Sequence, residues 1–140
     1  MTSSTDDAGE VTEAVIPRAI IAGHGAFSQG LISAVQQISG CGDVFVGVSN
    51  MGLSGPDIEA AYREQAENTG IRVFFTDLPG GSATMAVRRL MRTHPDIVLV
   101  TGTNLPMLLE FVFQADAEPR EAAKLAAEKG RAALMAHGGQ

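Results

Sequence analysis

Short apolar segments alternate with amphipathic stretches along nearly the whole chain, and this alternation restricts the fold more than any other feature. Ala19 to Ala22, led in by Val15 and Ile16, reads as a first strand and runs into Gly23-His24-Gly25. A helical stretch follows from about Ser28 to Ser39, with Leu31, Ala34, Val35 and Ile38 at helical spacing and Gly40 as its stop. Val44 to Val48 reads as a second strand, and Ser54 and Pro56 mark the start of a helix carrying Ile58, Ala61, Tyr62 and Ala66 on one side, closed by Gly70. Ile71 to Thr76 is a third strand ending at Asp77, and Leu78-Pro79-Gly80-Gly81 delivers Ser82 to the start of another helix. That helix places Arg88, Arg89 and Arg92 near its carboxyl end, where positive charge complements the helix dipole, and His94-Pro95 ends it. Ile97 to Val100 is a fourth strand. Asn104 caps a helix with Leu105, Leu108, Leu109, Val112 and Phe113 assigned to one face, and a last helix runs from about Pro119 to Lys129. Arg131 to Ala136 reads as a short final strand.

Strands separated by helices imply parallel pairing through right-handed crossovers. The first four strands are apolar on both faces, as strands covered by helices must be. The predicted architecture is α/β and doubly wound, either flavodoxin-like or Rossmann-like; the flavodoxin-like sheet, with parallel strands in the order 2-1-3-4 and a short fifth strand at the edge, is the better fit for five strands. Residues 17–136 form the expected single domain. Met1 to Glu13 is rich in Ser, Thr, Asp and Glu, so residues 1–16 are expected to be a polar, unstructured tail, and residues 137–140 a frayed end.

Composition narrows the function. The chain has 140 residues, about one domain's worth, with 45% hydrophobic residues and a net charge of −6. The acidic balance argues against a nucleic-acid partner, which calls for a basic face. No apolar stretch approaches the roughly 20 residues that span a bilayer, and the amino end lacks the pattern of a signal peptide. A single cysteine, Cys41, rules out an internal disulfide and fits a reducing compartment. A cytoplasmic protein is expected.

In a sheet of this order, ligands bind beyond the carboxyl ends of the strands, in the crevice between strands one and three. His24 stands just past strand one and Asp77 just past strand three, so topology alone brings together two residues 53 positions apart. A carboxylate that accepts a hydrogen bond from one imidazole nitrogen leaves the other with its lone pair, ready to attack phosphorus or a carbonyl. The surroundings suit an anion. Gly80 and Gly81 let backbone N–H groups turn inward, Ser82 sits at a helix N-terminus, and Gly23 and Gly25 permit close approach from the other side. No Walker lysine or carboxylate cluster for a metal is present, so neither a metal nor a bound cofactor is expected. Gly23, Gly25 and Gly30 do not match a dinucleotide fingerprint, since the third glycine comes too late. A hydrolase elbow of the Gly-x-Ser-x-Gly kind is also missing. The methionines at 85, 91, 107 and 135 read as core filling.

Three segments resemble one family. Ile20-Ile-Ala-Gly-His-Gly-Ala-Phe-Ser-Gln-Gly-Leu31 resembles the active-site strand and loop of the mannose-type IIA components of the phosphoenolpyruvate-dependent sugar phosphotransferase system. Phe74-Phe-Thr-Asp-Leu-Pro-Gly-Gly-Ser82 is similar to their second active-site loop, and Gly102-Thr-Asn-Leu-Pro-Met-Leu-Leu-Glu110 to their stretch after strand four. The segments occur in the family's order and spacing over about Pro17 to Ala136. Ala83 stands where the family usually has proline after Gly-Gly-Ser.

The resemblance implies that His24 accepts a phosphoryl group from the phosphohistidine carrier HPr and passes it to a separate IIB protein, which serves the membrane proteins IIC and IID. It implies that Asp77 bonds the non-phosphorylated ring nitrogen, and that Ser82 and the neighbouring glycines contact the phosphoryl. It also implies a homodimer that exchanges the short carboxyl-terminal strand, antiparallel, at about Arg131 to Met135. A regulatory binding protein, choosing partners by the phosphorylation state of His24 without sugar flux, is the alternative.

Overall fold

The computed structural model describes residues 16–140, so the expected polar tail falls outside the described residues up to position 15. The elements run β1 (Ala19–Gly23), α1 (Phe27–Ser39), a short 3₁₀ turn (Gly42–Val44), β2 (Phe45–Ser49), α2 (Gly55–Thr69), β3 (Val73–Thr76), α3 (Ser82–Leu90), β4 (Val98–Val100), α4 (Leu105–Phe113) and α5 (Pro119–Ala132). The sheet has four strands in the order β2-β1-β3-β4, all pairs parallel, as the alternation predicts.

The two central strands are apolar on both faces because helices cover both. Ala19, Ile21, Val73 and Phe75 face a core closed by α1, α4 and α5, with Val35, Leu108, Phe111 and Ala126 among its buried members. Ile20, Ala22 and Phe74 face the opposite core, closed by α2 and α3 through Ile58, Tyr62, Ala86, Val87 and Leu90. Strand-to-helix connections at the carboxyl edge carry the polar and glycine residues. Those at the other edge use helix stops: Gly40 and Gly70 end α1 and α2 in the left-handed conformation, with φ of 74° and 77°.

Local chemistry fixes the helix starts. Ser54 accepts the N–H of Asp57 at the head of α2, and Asn104 accepts the N–H of Met107 at the head of α4. Asn104 also donates through Nδ2 to the Gly130 carbonyl at 3.0 Å, binding the start of α4 to the end of α5. A Cβ at Gly130 would lie 2.8 Å from Met107 Cε and 2.9 Å from Asn104 Oδ1. Gly130→Ala gains helix propensity, about 1 kcal/mol, but overpacks this crossing by about 1–3 kcal/mol. Equilibrium urea unfolding is expected to show a net loss of about 1 kcal/mol; an unshifted midpoint would mean that α4 and α5 do not meet this closely.

The structure departs from the sequence-based expectations in three places. Arg131 and Ala132 complete α5, and 134–140 adopt no regular structure, so the chain by itself forms no strand at Arg131–Ala136. Alanines on either side of Gly130 carry the helix past the expected stop, and a strand requires a neighbouring edge to pair with. On α4 the buried residues are Met107, Leu108, Phe111 and Val112, and Phe113 points outward, 68% exposed. Ile38 on α1 and two of the four methionines, Met85 and Met135, are also exposed rather than core.

Candidate active site

β1 and β3 are direct neighbours, in register Ala22 with Thr76, so the next residues along each strand emerge together at the carboxyl edge. Asp77 Oδ2 accepts two hydrogen bonds from His24, one from the backbone N–H at 2.9 Å and one from ring Nδ1–H at 2.7 Å. The carboxyl is held below the usual carboxylate range: burial works to raise it, and the side-chain and backbone hydrogen bonds from His24 outweigh that. An ionised carboxylate only accepts, so the proton of the neutral ring resides on Nδ1 and Nε2 carries the lone pair. The His24 side chain is 58% exposed and that of Asp77 10%, so the acceptor is sheltered while the ring stands out to solvent. Asp77 Oδ1 is buried with no protein partner among the described residues. The Tyr62 phenol, wholly buried on α2, is pushed well above its ordinary pKa by burial and then by the negative charge of Asp77.

Glycine at position 23 follows from this contact. A Cβ there would fall 2.8 Å from Asp77 Cγ and Oδ2 and 2.9 Å from Phe27, displacing the carboxylate. Gly25 turns the chain away with φ of 54°, and the Phe27 N–H donates to the His24 carbonyl at 3.0 Å as α1 begins. Across the crevice, Gly81 is the N-cap of α3 with φ of 116°, and it supplies no side chain to the helix's first N–H groups. A Cβ at Gly81 would stand 3.4 Å from His24 Cε1, so the bare amino end of α3 abuts the imidazole. Free N–H groups and the dipole there favour an anion. Ser82 is the first residue of α3, exposed beside it. Gly80 lies in the exposed part of the loop, with open space where a side chain would go. The seven sequence-predicted positions thus cluster at one crevice, with Gly80 the least engaged. The loop is braced from beneath, where Thr76 and Thr84 hydroxyls share a bond of 2.6 Å and Thr103 donates to the Thr76 carbonyl at 2.8 Å.

One contributor was missed from sequence. The β2–α2 loop reaches both active-site loops: Ser49 Oγ donates to the Gly25 carbonyl at 3.1 Å, and Asn50 Nδ2 donates to Ser82 Oγ at 2.6 Å. A signal was available, because β2 flanks β1 in the predicted order, so the residues after it open onto the same crevice.

The third similarity segment has a different place. Gly102, at φ of 70°, and Asn104 form the turn into α4 and join it to α5 rather than to His24.

The fold is shared with several solved proteins. A phosphotransferase system component EIIA from Streptococcus agalactiae is 25% identical, with a TM-score of 0.74 over 85% of this chain and 95% of that one. The mannose/sorbose specific IIA subunit of the phosphotransferase system from Enterococcus faecalis is 20% identical, with a TM-score of 0.73 over 90% of this chain and 98% of that one. The IIA protein associated with the fucose utilization operon of Streptococcus pneumoniae is 20% identical, with a TM-score of 0.73 over 89% and 96%. No curated protein matches the chain. The family model described as PTS system fructose IIA component matches residues 18–128, nearly the whole domain, and the chain therefore belongs to the mannose-type IIA components of the sugar phosphotransferase system.

Proposed function

We propose that the chain carries a phosphoryl group on His24 Nε2, accepting it from phosphorylated HPr and passing it to a separate IIB protein that serves membrane IIC and IID proteins in sugar uptake. One observation carries the reading: both N–H groups of His24 converge on a single oxygen of Asp77, leaving Nε2 of the largely exposed ring as the free nucleophile. In the transfer, the Nε2 lone pair forms a new N–P bond as the donor's N–P bond breaks, and that electron pair returns to the donor imidazole. Nδ1 keeps its proton throughout, so no separate base is required. A ring phosphorylated on Nε2 and protonated on Nδ1 is cationic, and the Asp77 carboxylate is placed to meet that charge. The amino end of α3 and Ser82 receive the phosphoryl oxygens, and little else is needed beyond position and charge.

The exposure of His24 suits exchange between proteins better than reaction in an enclosed pocket. Met51, Leu53, Leu78 and Met85, each between 41% and 70% exposed, stand on the β2–α2 loop, the β3–α3 loop and the first turn of α3, offering apolar surface for docking. The action is assigned to the cytoplasm, in keeping with the absence of any helix among the described residues long and apolar enough to cross a membrane. A homodimer is part of the proposal. Among the described residues β4 ends the sheet with an unpaired edge beside a cavity of about 440 Å³ lined by Leu99, Lys124, Gly130, Arg131 and Leu134, among others, and Leu134 and Met135 are exposed next to it.

Incubation with phosphoenolpyruvate, enzyme I and HPr is expected to add one acid-labile phosphoryl group, read by mass, which then leaves on addition of the IIB acceptor. An unmodified mass would overturn the reading.

A further inference from the structure

Asn50 lies on the one loop of the crevice that the proposed chemistry has not used. Its backbone is fixed at both ends: its N–H donates to the Gly23 carbonyl at 3.3 Å, and its carbonyl accepts the Leu53 N–H at 3.2 Å. Gly23 is paired with Ser49 in the sheet and immediately precedes His24, so Asn50 is anchored to the strand that delivers the nucleophile. Ser49 adds a second tie, donating to Gly25 on the far side of His24 and accepting the Met51 N–H at 3.2 Å. From this anchored base the Asn50 amide extends to Ser82, donating to its hydroxyl oxygen at 2.6 Å.

The direction of that bond matters. A serine hydroxyl has one hydrogen and two lone pairs. With Asn50 donating to the oxygen, a lone pair is occupied and the O–H hydrogen remains available. Gly81 contributes no side chain, and among the described residues no acceptor takes the Ser82 hydrogen. The same bond ties the β2–α2 loop, itself anchored to the strand that delivers His24, to the head of α3.

We propose that Asn50 is a positioning residue of the phosphoryl site, acting through Ser82: its amide holds the Ser82 hydroxyl so that the O–H hydrogen donates to the phosphoryl oxygens at His24 Nε2. The assignment rests on the reading of His24 as the phosphoryl carrier. Two substitutions separate positioning from simple packing. Asn50→Ala removes the donor and frees the hydroxyl to rotate. Asn50→Asp keeps the shape and inverts the bond, because a carboxylate can only accept. It captures the Ser82 hydrogen and sets a negative charge against the incoming phosphoryl.

Single-turnover phosphorylation by phosphorylated HPr is the measurement, with wild type, Asn50→Ala, Asn50→Asp, Ser82→Ala and the Asn50→Ala/Ser82→Ala double variant. Losing a direct oxyanion donor costs about 10²–10³ in rate, so a residue acting through that donor is expected to cost about tenfold as Asn50→Ala and more, about thirtyfold, as Asn50→Asp. In the Ser82→Ala background, Asn50→Ala is expected to add less than about twofold, since the group it acts through is gone. Wild-type rates in Asn50→Ala, an Asp variant no slower than the Ala variant, or rates that multiply independently in the double variant would each overturn the role of Asn50 while leaving His24 as the carrier. A wild-type chain that takes no label would remove both.

Discussion

His24→Ala is expected to remain folded and to take up no phosphoryl group under conditions that label the wild type fully. The effect is total because the covalent intermediate has nowhere else to form. Two other histidines lie among the described residues. His94 follows α3 on the approach to β4, at the opposite edge of the sheet, with Nε2 3.3 Å from Glu67. His137 is in the exposed carboxyl-terminal segment. Neither has a carboxylate and an open helix N-terminus arranged around a free ring nitrogen. The substitution costs little stability. The ring is mostly exposed, and Asp77 retains the backbone N–H of residue 24, so what is lost is one hydrogen bond to a charged group, about 1–3 kcal/mol. A domain of this size tolerates that. The checks are mass after exposure to phosphorylated HPr and a thermal melt. Full labelling of the folded variant would place the carrier elsewhere.

How much of this was legible beforehand follows from what each inference required. The pairing of His24 with Asp77 needed only strand order; apolar runs and crossovers give parallel strands, while the order itself rests on the flavodoxin-like arrangement being the better fit for five strands, and the four strands present keep that order. Glycine at 23 and 25 was legible as permission for close approach, and glycine at 81 as freedom for backbone N–H groups to turn inward. That the reason at 23 is the Asp77 carboxylate itself depends on the register of β1 on β3. Asn50 was missed because its role is decided by the path of an irregular loop, which leaves no periodic trace. The α4 error has another cause. Leu105-Pro-Met-Leu-Leu-Glu-Phe-Val-Phe113 is apolar almost all round, so spacing alone does not say which arc faces inward, and the structure buries Phe111 while exposing Phe113. The segment Arg131 to Ala136 reads as a strand because it is short and largely apolar at the end of an α/β alternation, and only its exchange in a dimer comes from the family resemblance. Its local sequence, Lys129-Gly-Arg-Ala-Ala, favours continuing the helix, and in the single chain local preference prevails through Ala132.

Asp77→Ala is expected to slow phosphorylation of His24 about a hundredfold, and Asp77→Asn only about tenfold, and the order of the two is the informative part. Truncation to alanine removes orientation, tautomer control and charge together. The ring is then free to turn, and the proton can sit on Nε2, where it blocks attack; loss of such an orienting partner costs about 10–100-fold in comparable sites. The asparagine variant differs because of the backbone. The N–H of His24 demands an acceptor at the position of Oδ2, which selects the oxygen of the introduced amide for that place, and the same oxygen then accepts Nδ1–H. Orientation and tautomer survive, and only the negative charge facing the cationic phosphorylated ring is lost. A tenfold change corresponds to about 1.4 kcal/mol, the scale of one hydrogen bond or charge contact to an ionised group. The charge also has a signature in stability. The Asp77 carboxyl is depressed in the folded chain, so its contribution is present above the ordinary carboxylate range, near pH 4, and is lost as pH falls through the lowered value. In Asp77→Asn that acid-range loss is expected to vanish from a pH series of urea midpoints. An asparagine variant slower than the alanine variant would mean that the backbone amide of His24 does not choose the tautomer, and equal rates in all three chains would remove Asp77 from the mechanism.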